Sequence, residues 1–229
     1  MKVFAHRGYS QKYPEATWIA YEKAVEVNAD GFECDVRLSK DGQVICFHDR
    51  TLKRIGNINK AVAKLTAAQL RQYVQAISLE ELLELAITEK KNLLIETKHP
   101  VLTGGQIEEE VISIVRKRAK LIEDAGIEVT LMSFSFLAVW RMKRRYRKVI
   151  KVIKYPWAYF LKNSKDFAIS IEALRKHPGI IKRSAGKRIY VWTVNEEEDL
   201  KWLRNREIYG VITDRPKRAR RILLSSSNG

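Results

Sequence analysis

Residues 28–42 read NADGFECDVRLSKDG, and the alternation within them decides the architecture. Gly31 to Leu38 reads as a strand, and Glu33 and Asp35 stand two apart in it, so their side chains share one face. In one arrangement that face points outward and pairs with Arg37, which leaves Cys34, Val36 and Leu38 to fill the inside. Charges would then lie beneath a covering helix, where desolvation opposes them. In the other arrangement the carboxylates face the interior or mouth of a closed sheet, where they need a cation. The second reading is the one adopted. Ser39-Lys40-Asp41-Gly42 follows, and its Asp-Gly pair signals a hairpin into a further strand from Gln43 to His48.

Outward from this stretch, apolar segments rich in Val, Ile and Phe recur with helical stretches between them, the rhythm of parallel strands with crossover helices. The segments are Val3 to His6, Gly31 to Leu38, Asn92 to Lys98, Glu128 to Phe134, Val149 to Lys154, Phe167 to Ile171, Arg188 to Val194 and Gly210 to Thr213. Helices are expected over Thr17 to Val27 and Ile107 to Ala125, among others. Eight strands with this alternation fit a closed (β/α)8 TIM barrel better than an open sheet. Asp49 to Ser78 departs from the alternation, so a small insertion after the second strand, about 39–80, is expected to pass over one end of the barrel. Pro14, Pro100, Pro156 and Pro216 fall outside strand interiors, as loop residues should. The terminal SSSNG is expected to fray.

A chain of 229 residues with 45% hydrophobic and 31% charged side chains is consistent with one domain, 1–229, with an ordinary globular core, and not with a disordered or fibrous chain. MKVFAHRG meets a charge at Arg7 before an apolar leader could form, and no run approaches the ~18 apolar residues of a membrane span, so a cytoplasmic location is expected. Cys34 and Cys46 sit in strands without a C-x-x-C pair and read as buried free thiols rather than zinc ligands or a disulfide. The 43 basic against 27 acidic residues leave a formal charge of +16, concentrated in RMKRRYRKVIKVIK (141–154) and DRPKRARR (214–221). Such charge attracts anionic partners without naming one, and a solvated helix face accounts for much of it.

Reactive groups in such barrels stand at the C-terminal ends of strands. There the sequence places His6-Arg7-Gly8, Glu33 and Asp35, His48-Asp49, and Glu96-Thr97-Lys98. With Glu96 as a third carboxylate, an all-oxygen set suits Mg²⁺, Ca²⁺ or Mn²⁺ rather than zinc. A divalent cation beside basic groups suits displacement at phosphorus. Arg7 and Lys98 would hold phosphate oxygens, and His6 and His48 would serve as base and acid. His99 and His177 both precede proline and read as structural or solvent-facing.

The chain resembles the glycerophosphodiester phosphodiesterases along nearly its whole length. The carriers are HRG (6–8), PEAT (14–17), NADGFECDVRLSKDG (28–42), FHD (47–49), LLIETK (93–98), VWTVN (191–195) and GVITDRP (210–216). The resemblance implies a barrel, a divalent metal, Mg²⁺ or Ca²⁺, held by Glu33, Asp35 and Glu96, and His6 and His48 as acid and base. The implied reaction is hydrolysis of glycerophosphodiesters to sn-glycerol 3-phosphate and an alcohol, which places the protein in glycerol and lipid metabolism. Glu15 is carried over as a support for the metal site or for Arg7, although the family's usual Pro-Glu-Asn-Thr has Ala16 in place of asparagine. Trp192 resembles an aromatic residue lining the glycerol side of the pocket, with a core tryptophan as the competing reading. Asp214 reads equally as a helix cap or a functional group.

Two other functions share these residues. A lysophospholipase D would cleave the same bond in lysophospholipids, and the basic run followed by Trp157, Tyr159, Phe160 and Leu161 would suit peripheral contact with an anionic membrane. A catalytically silent barrel could bind polyanions through its charge, but backbone binding has no use for the carboxylate and histidine set. No specific nucleic acid partner is expected, and the sequence carries no signal of oligomeric state.

Overall fold

Strands rich in Val, Ile and Leu can be buried on both faces when helices cover one side and a closed interior takes the other. A computed structural model describes residues 1–101, 104–160 and 164–224; SSSNG and Leu161 lie outside the described residues. Its strands are β1 (Lys2–His6), β2 (Gly31–Leu38), β3 (Val44–Cys46), β4 (Asn92–Thr97), β5 (Val129–Ser133), β6 (Val149–Ile153), β7 (Phe167–Ser170), β8 (Ile189–Trp192) and β9 (Gly210–Thr213). Eight of them are parallel in the order β1-β9-β8-β7-β6-β5-β4-β2, and β1 pairs with β2 to close a (β/α)8 TIM barrel. β3 is the hairpin partner, antiparallel to the end of β2 with Val36 opposite Cys46 and Leu38 opposite Val44. No helix of the described residues is long and apolar enough to cross a membrane.

Side-chain parity divides the core in two. Phe32, Cys34 and Val36 of β2 face outward and pack with residues such as Leu82 and Leu83 of helix Leu79–Thr88 and Val111 of helix Gln106–Lys117. Phe4, Leu94, Met132, Ile150, Val152, Ala168, Tyr190 and Ile212 fill the barrel interior. Gly31 shares that interior parity: a Cβ there would lie 2.5 Å from the Asn92 carbonyl oxygen and 2.7 Å from the Phe4 ring. Cys34 and Cys46 are both buried and free.

Several strands stop short of the expected limits. Lys98, Phe134, Lys154, Ile171 and Val194 lie beyond the ladder ends, where the chain leaves the sheet to form the barrel mouth. Thr17 and Val27 are the caps of helix Trp18–Glu26 rather than members of it. The long helix expected over Ile107 to Ala125 is two, Gln106–Lys117 and Ala119–Asp124, broken at Arg118. The first buries Ile107, Val111, Ile112 and Val115, whereas the second buries none of its residues, so no apolar stripe holds the two in line.

The excursion after β2 has a core of its own, in which Ile45, Phe47, Leu52, Val62, Leu65, Leu70, Val74 and Ala76 pack together. It contains helix Ala67–Val74, opened by a capping box between Thr66 and Gln69, and it gives way to the barrel helix Leu79–Thr88 at a second box between Ser78 and Glu81. Gly31→Ala should overpack the barrel floor and destabilise the protein by about 1–3 kcal/mol, read as a lower urea midpoint at unchanged slope. An unchanged midpoint would show that the floor has room for a methyl group.

Candidate active site

The parity that builds the barrel floor also builds the site. Two residues beyond Phe4 stands His6, beyond Gly31 stand Glu33 and then Asp35, and beyond Leu94 stand Glu96 and then Lys98. The same step leads from Met132 to Phe134, from Val152 to Lys154, from Tyr190 to Trp192 and from Ile212 to Asp214. Strand register sets the neighbours: His6 is paired with Glu33, and Asp35 with Glu96. His6, Arg7, Glu33, Asp35, His48, Glu96, Lys98 and Trp192 all line one cavity of about 380 Å³, together with Phe134, Lys154 and Thr193.

Glu33 and Asp35 are each 2% exposed and Glu96 is 5% exposed, so three carboxylates lie out of water side by side. Two cations answer them. Lys98 Nζ lies 2.8 Å from Asp35 Oδ1 and 2.5 Å from Glu96 Oε1, and Arg7 Nε lies 2.7 Å from Asp35 Oδ2. The Arg7 contact is not aligned as a hydrogen bond, so its attraction is Coulombic rather than directional. Burial alone would raise the Asp35 pKa, but Lys98 and Arg7 hold it well below the usual carboxylate range. Burial and the Asp35 charge push Glu33 well above that range and Glu96 up to about 7. Glu33 Oε2 is buried without a hydrogen-bond donor, 3.8 Å from His6 Nε2.

Both cavity histidines are held through Nδ1 by a carboxylate. His6 Nδ1 is 2.7 Å from Asp214 Oδ1, and Asp214 also accepts hydrogen bonds from Ser10 Oγ at 2.8 Å and Asn195 Nδ2 at 2.6 Å. Burial opposes ionisation of Asp214, yet these bonds hold its pKa down to about 2. His48 Nδ1 is 2.6 Å from Asp49 Oδ1, and Arg54 Nε donates to Asp49 Oδ2 at 2.6 Å. Burial outweighs the attraction of Asp35 and lowers the His48 pKa below its ordinary value. A neutral imidazole with Nδ1–H given to a carboxylate keeps Nε2 as its acceptor. Outside the cavity, His99 faces the buried Glu108 at 3.4 Å and His177 is exposed.

The geometry adds groups that sequence reading did not assign. Asp214 touches His6, and Asp49 touches His48. Lys154 lines the cavity with its Nζ 5.6 Å from the Tyr155 ring and has no ion pair among the described residues, in contrast to Arg7 and Lys98. Its parity with Ile150 and Val152 was the signal, hidden within a run read as surface charge. Part of that run is answered by glutamates: Arg141 pairs with Glu108, Arg145 with Glu109 and Lys148 with Glu128, while Arg144 covers the Trp140 ring.

Comparison with known proteins gives the family of the chain. The sequence profile of the glycerophosphoryl diester phosphodiesterase family matches residues 6–218. The chain belongs to that family. It is 31% identical over 254 residues to a glycerophosphodiester phosphodiesterase of Bacillus altitudinis, covering 96% of this chain and 97% of that protein. The crystal structure of glycerophosphodiester phosphodiesterase from Thermotoga maritima superposes with a TM-score of 0.76 at 27% identity, covering 94% of this chain and 95% of that one. An Oleispira antarctica phosphodiesterase, solved in complex with its product sn-glycerol-3-phosphate, shares the fold with a TM-score of 0.76 at 22% identity over 97% of this chain and 96% of that one. The chain is thus a phosphoric diester hydrolase of the glycerophosphodiester phosphodiesterase class, a class that depends on divalent metal.

The residues present fit such a metal in a glycerophosphodiester phosphodiesterase. His6, Glu33 and Asp35 each offer a ligand atom within 4.8 Å of the others, and the donorless Glu33 oxygen is among the buried groups a cation would satisfy. Glu96 stands beside Asp35, with Lys98 between the two carboxylates. Three carboxylates against Arg7 and Lys98 leave one net negative charge when all are ionised. A divalent cation would turn that into one positive charge, matched to a phosphodiester anion.

The loop after β1 shows what the HRG motif builds and what replacing asparagine by Ala16 costs the backbone. Arg7 lies at φ +56° and Gly8 at φ +83°, and a Cβ on Gly8 would come within 2.6–2.7 Å of Ala20. Glu15 Oε1 accepts from Arg7 Nη1 at 3.0 Å, so Glu15 supports Arg7 from outside the carboxylate cluster. Ala16 sits at φ +59°, the left-handed region that asparagine and glycine tolerate better than alanine. Ala16→Gly, which in ordinary backbone would cost about 0.5–1 kcal/mol of chain entropy, is therefore expected to leave the urea midpoint unchanged or raised. A clear fall in that midpoint would show that the loop does not strain Ala16.

Proposed function

We propose that this chain hydrolyses small glycerophosphodiesters to sn-glycerol 3-phosphate and an alcohol, using a divalent cation held by Glu33, Asp35 and Glu96 and a proton-transfer pair, His6 and His48. The observation that carries the reading is the placement of both carboxylate-oriented histidines in the cavity that holds the buried carboxylates. An all-oxygen carboxylate set favours Mg²⁺, Ca²⁺ or Mn²⁺. When bound, such a cation would stabilise charge developing on the phosphoryl oxygens.

Arg7 and Lys98 bring positive charge to the phosphate while anchored to Asp35, and Lys154, which has no carboxylate to satisfy, can meet a further phosphate oxygen. Trp192 stands against Phe134 at the cavity wall, their ring centroids 5.3 Å apart, and gives the substrate an apolar side. The lowered pKa of His48 keeps it unprotonated and able to accept a proton at Nε2. Asp214 fixes the His6 ring so that its Nε2 faces Glu33 and the cavity. In the net reaction the phosphorus–oxygen bond to the alcohol breaks, the hydroxyl of one water joins phosphorus, and the remaining proton of that water ends on the alcohol.

Release of glycerol 3-phosphate from glycerophosphocholine should vanish after chelation and return with Mg²⁺, Ca²⁺ or Mn²⁺ added separately. Activity that survives complete chelation would overturn the metal assignment. His6→Ala and His48→Ala should each lose roughly 10²-fold or more in kcat, and Glu33→Ala or Asp35→Ala should abolish metal-supported turnover, with the fold intact by circular dichroism. Asp214→Asn should lower kcat about 10–100-fold and alter the pH profile. Full activity in any variant would remove that residue from its role.

A further inference from the structure

Between the barrel and the excursion lies a second cavity, of about 250 Å³, that shares no lining residue with the catalytic one. Its apolar walls are Leu38 at the end of β2, Val62 and Ala63 of the excursion, Pro100 and Val101 after β4, and Ile107 in the first turn of helix Gln106–Lys117. Ile107 belongs to the barrel core and Val62 to the core of the excursion, and neither is more than 1% exposed. The walls are therefore fixed by two separately packed bodies, and the cavity is the gap at their seam.

Two arginines, Arg37 and Arg50, complete the lining. Arg37 stands two residues beyond Asp35 on the same face of β2, half-buried, and gives only its Nε to the protein, donating to the His48 carbonyl oxygen at 2.8 Å. Its terminal nitrogens have no hydrogen-bond partner, and neither arginine has a carboxylate at ion-pair distance, among the described residues. Three other cations of the barrel mouth and excursion are spent on carboxylates: Arg7 on Asp35 and Glu15, Lys98 on Asp35 and Glu96, and Arg54 on Glu15 and Asp49. Arg37 and Arg50 thus bring two unanswered guanidinium groups to one small apolar chamber. Apolar walls with a few placed polar groups are the composition of small-molecule sites, and the guanidinium fork matches a carboxylate or a phosphate. The chamber lies just under the roughly 300–1,000 Å³ of drug-sized sites, so its ligand is compact.

We propose that this chamber is an effector site for a small organic anion, a carboxylate or phosphate borne on a compact apolar body, held by Arg37 and Arg50 and felt at His48. The apolar body lies against Val62, Pro100 and Ile107 while the anionic group meets the two guanidinium groups. An anion on the terminal nitrogens of Arg37 leaves its Nε bond to the His48 carbonyl in place and fixes the guanidinium from both ends. The main chain that carries the cavity imidazole is then held more firmly, and turnover rises. Binding in the chamber is independent of the hydrolytic reading of the catalytic cavity, whereas the rise in turnover rests on it.

The test titrates 4-fluorobenzoate into the full chain with Mg²⁺ present, read by fluorine NMR. Binding should saturate and be about tenfold tighter than that of 4-fluorobenzyl alcohol, the worth of one hydrogen bond to a charged group. Saturating sn-glycerol 3-phosphate should not displace it. Arg50→Ala removes one guanidinium, and Ala63→Trp fills the chamber from its exposed rim. Each should weaken binding about tenfold while glycerophosphocholine turnover without the probe stays at the wild-type value. With the probe bound, kcat on glycerophosphocholine should rise about two-fold in the wild type, the lower end of what one hydrogen bond contributes, and stay level in Arg50→Ala. Equal binding of the acid and the alcohol, displacement by glycerol 3-phosphate, or undiminished binding in Arg50→Ala would overturn the site. Saturable binding without a rise in kcat, or with the same rise in Arg50→Ala, would overturn the effector role. Absence of any hydrolysis with the binding pattern intact would overturn the catalytic reading and leave the anion site standing.

Discussion

The site depends on the way Asp35 is held. It is buried at the barrel mouth with Lys98 against one oxygen and Arg7 against the other, at 2.8 and 2.7 Å. A buried carboxylate without such neighbours would take up a proton, and Glu33 beside it, with neither lysine nor arginine against it among the described residues, is pushed well above the usual range by burial and the Asp35 charge. The need to bring Arg7 to Asp35 in turn shapes the loop after β1. Arg7 and Ala16 occupy left-handed backbone, Gly8 comes within van der Waals distance of helix Trp18–Glu26 at Ala20, and Glu15 closes on the guanidinium from outside. A local electrostatic requirement is thereby written into the backbone of a whole segment.

The barrel was legible because its strands carry one repeated instruction. Gly31, Glu33 and Asp35 share a parity that only a closed interior can use, and the same parity recurs in Phe4 and His6, Leu94 and Glu96, and Tyr190 and Trp192. Helix limits were less legible. Nothing in the local pattern from Ile107 to Ala125 announces the break at Arg118, because the break arises where the barrel wall stops offering an apolar surface.

The placement of the candidate residues at the barrel mouth was legible for the same reason as the barrel, whereas the partners they meet there were not. Asp214 could be read as a helix cap because its partner His6 is 208 residues away, and only the closure of β1 on β9 brings them together. Lys154 was hidden by its setting: in RMKRRYRKVIKVIK a catalytic-cavity lysine looks like any other charge until the strand alternation is followed through Ile150 and Val152. The run as a whole does not act as one patch, since several of its arginines and lysines are spent on nearby glutamates.

His6 belongs to the barrel wall, but His48 arrives on the excursion that begins with β3, a unit with its own apolar core. Arg54, from that excursion, grips both oxygens of Glu15 at 2.7 and 2.8 Å and also holds Asp49, the partner of His48. Exposed ion pairs of this kind add little to global stability, so the clasp matters chiefly for alignment between two separately packed bodies. Selection would then act on Glu15 and Arg54 as a pair. Among relatives that keep both histidines, replacement at one position should be accompanied by replacement at the other, a trace of coordinated change between the loop after β1 and the excursion.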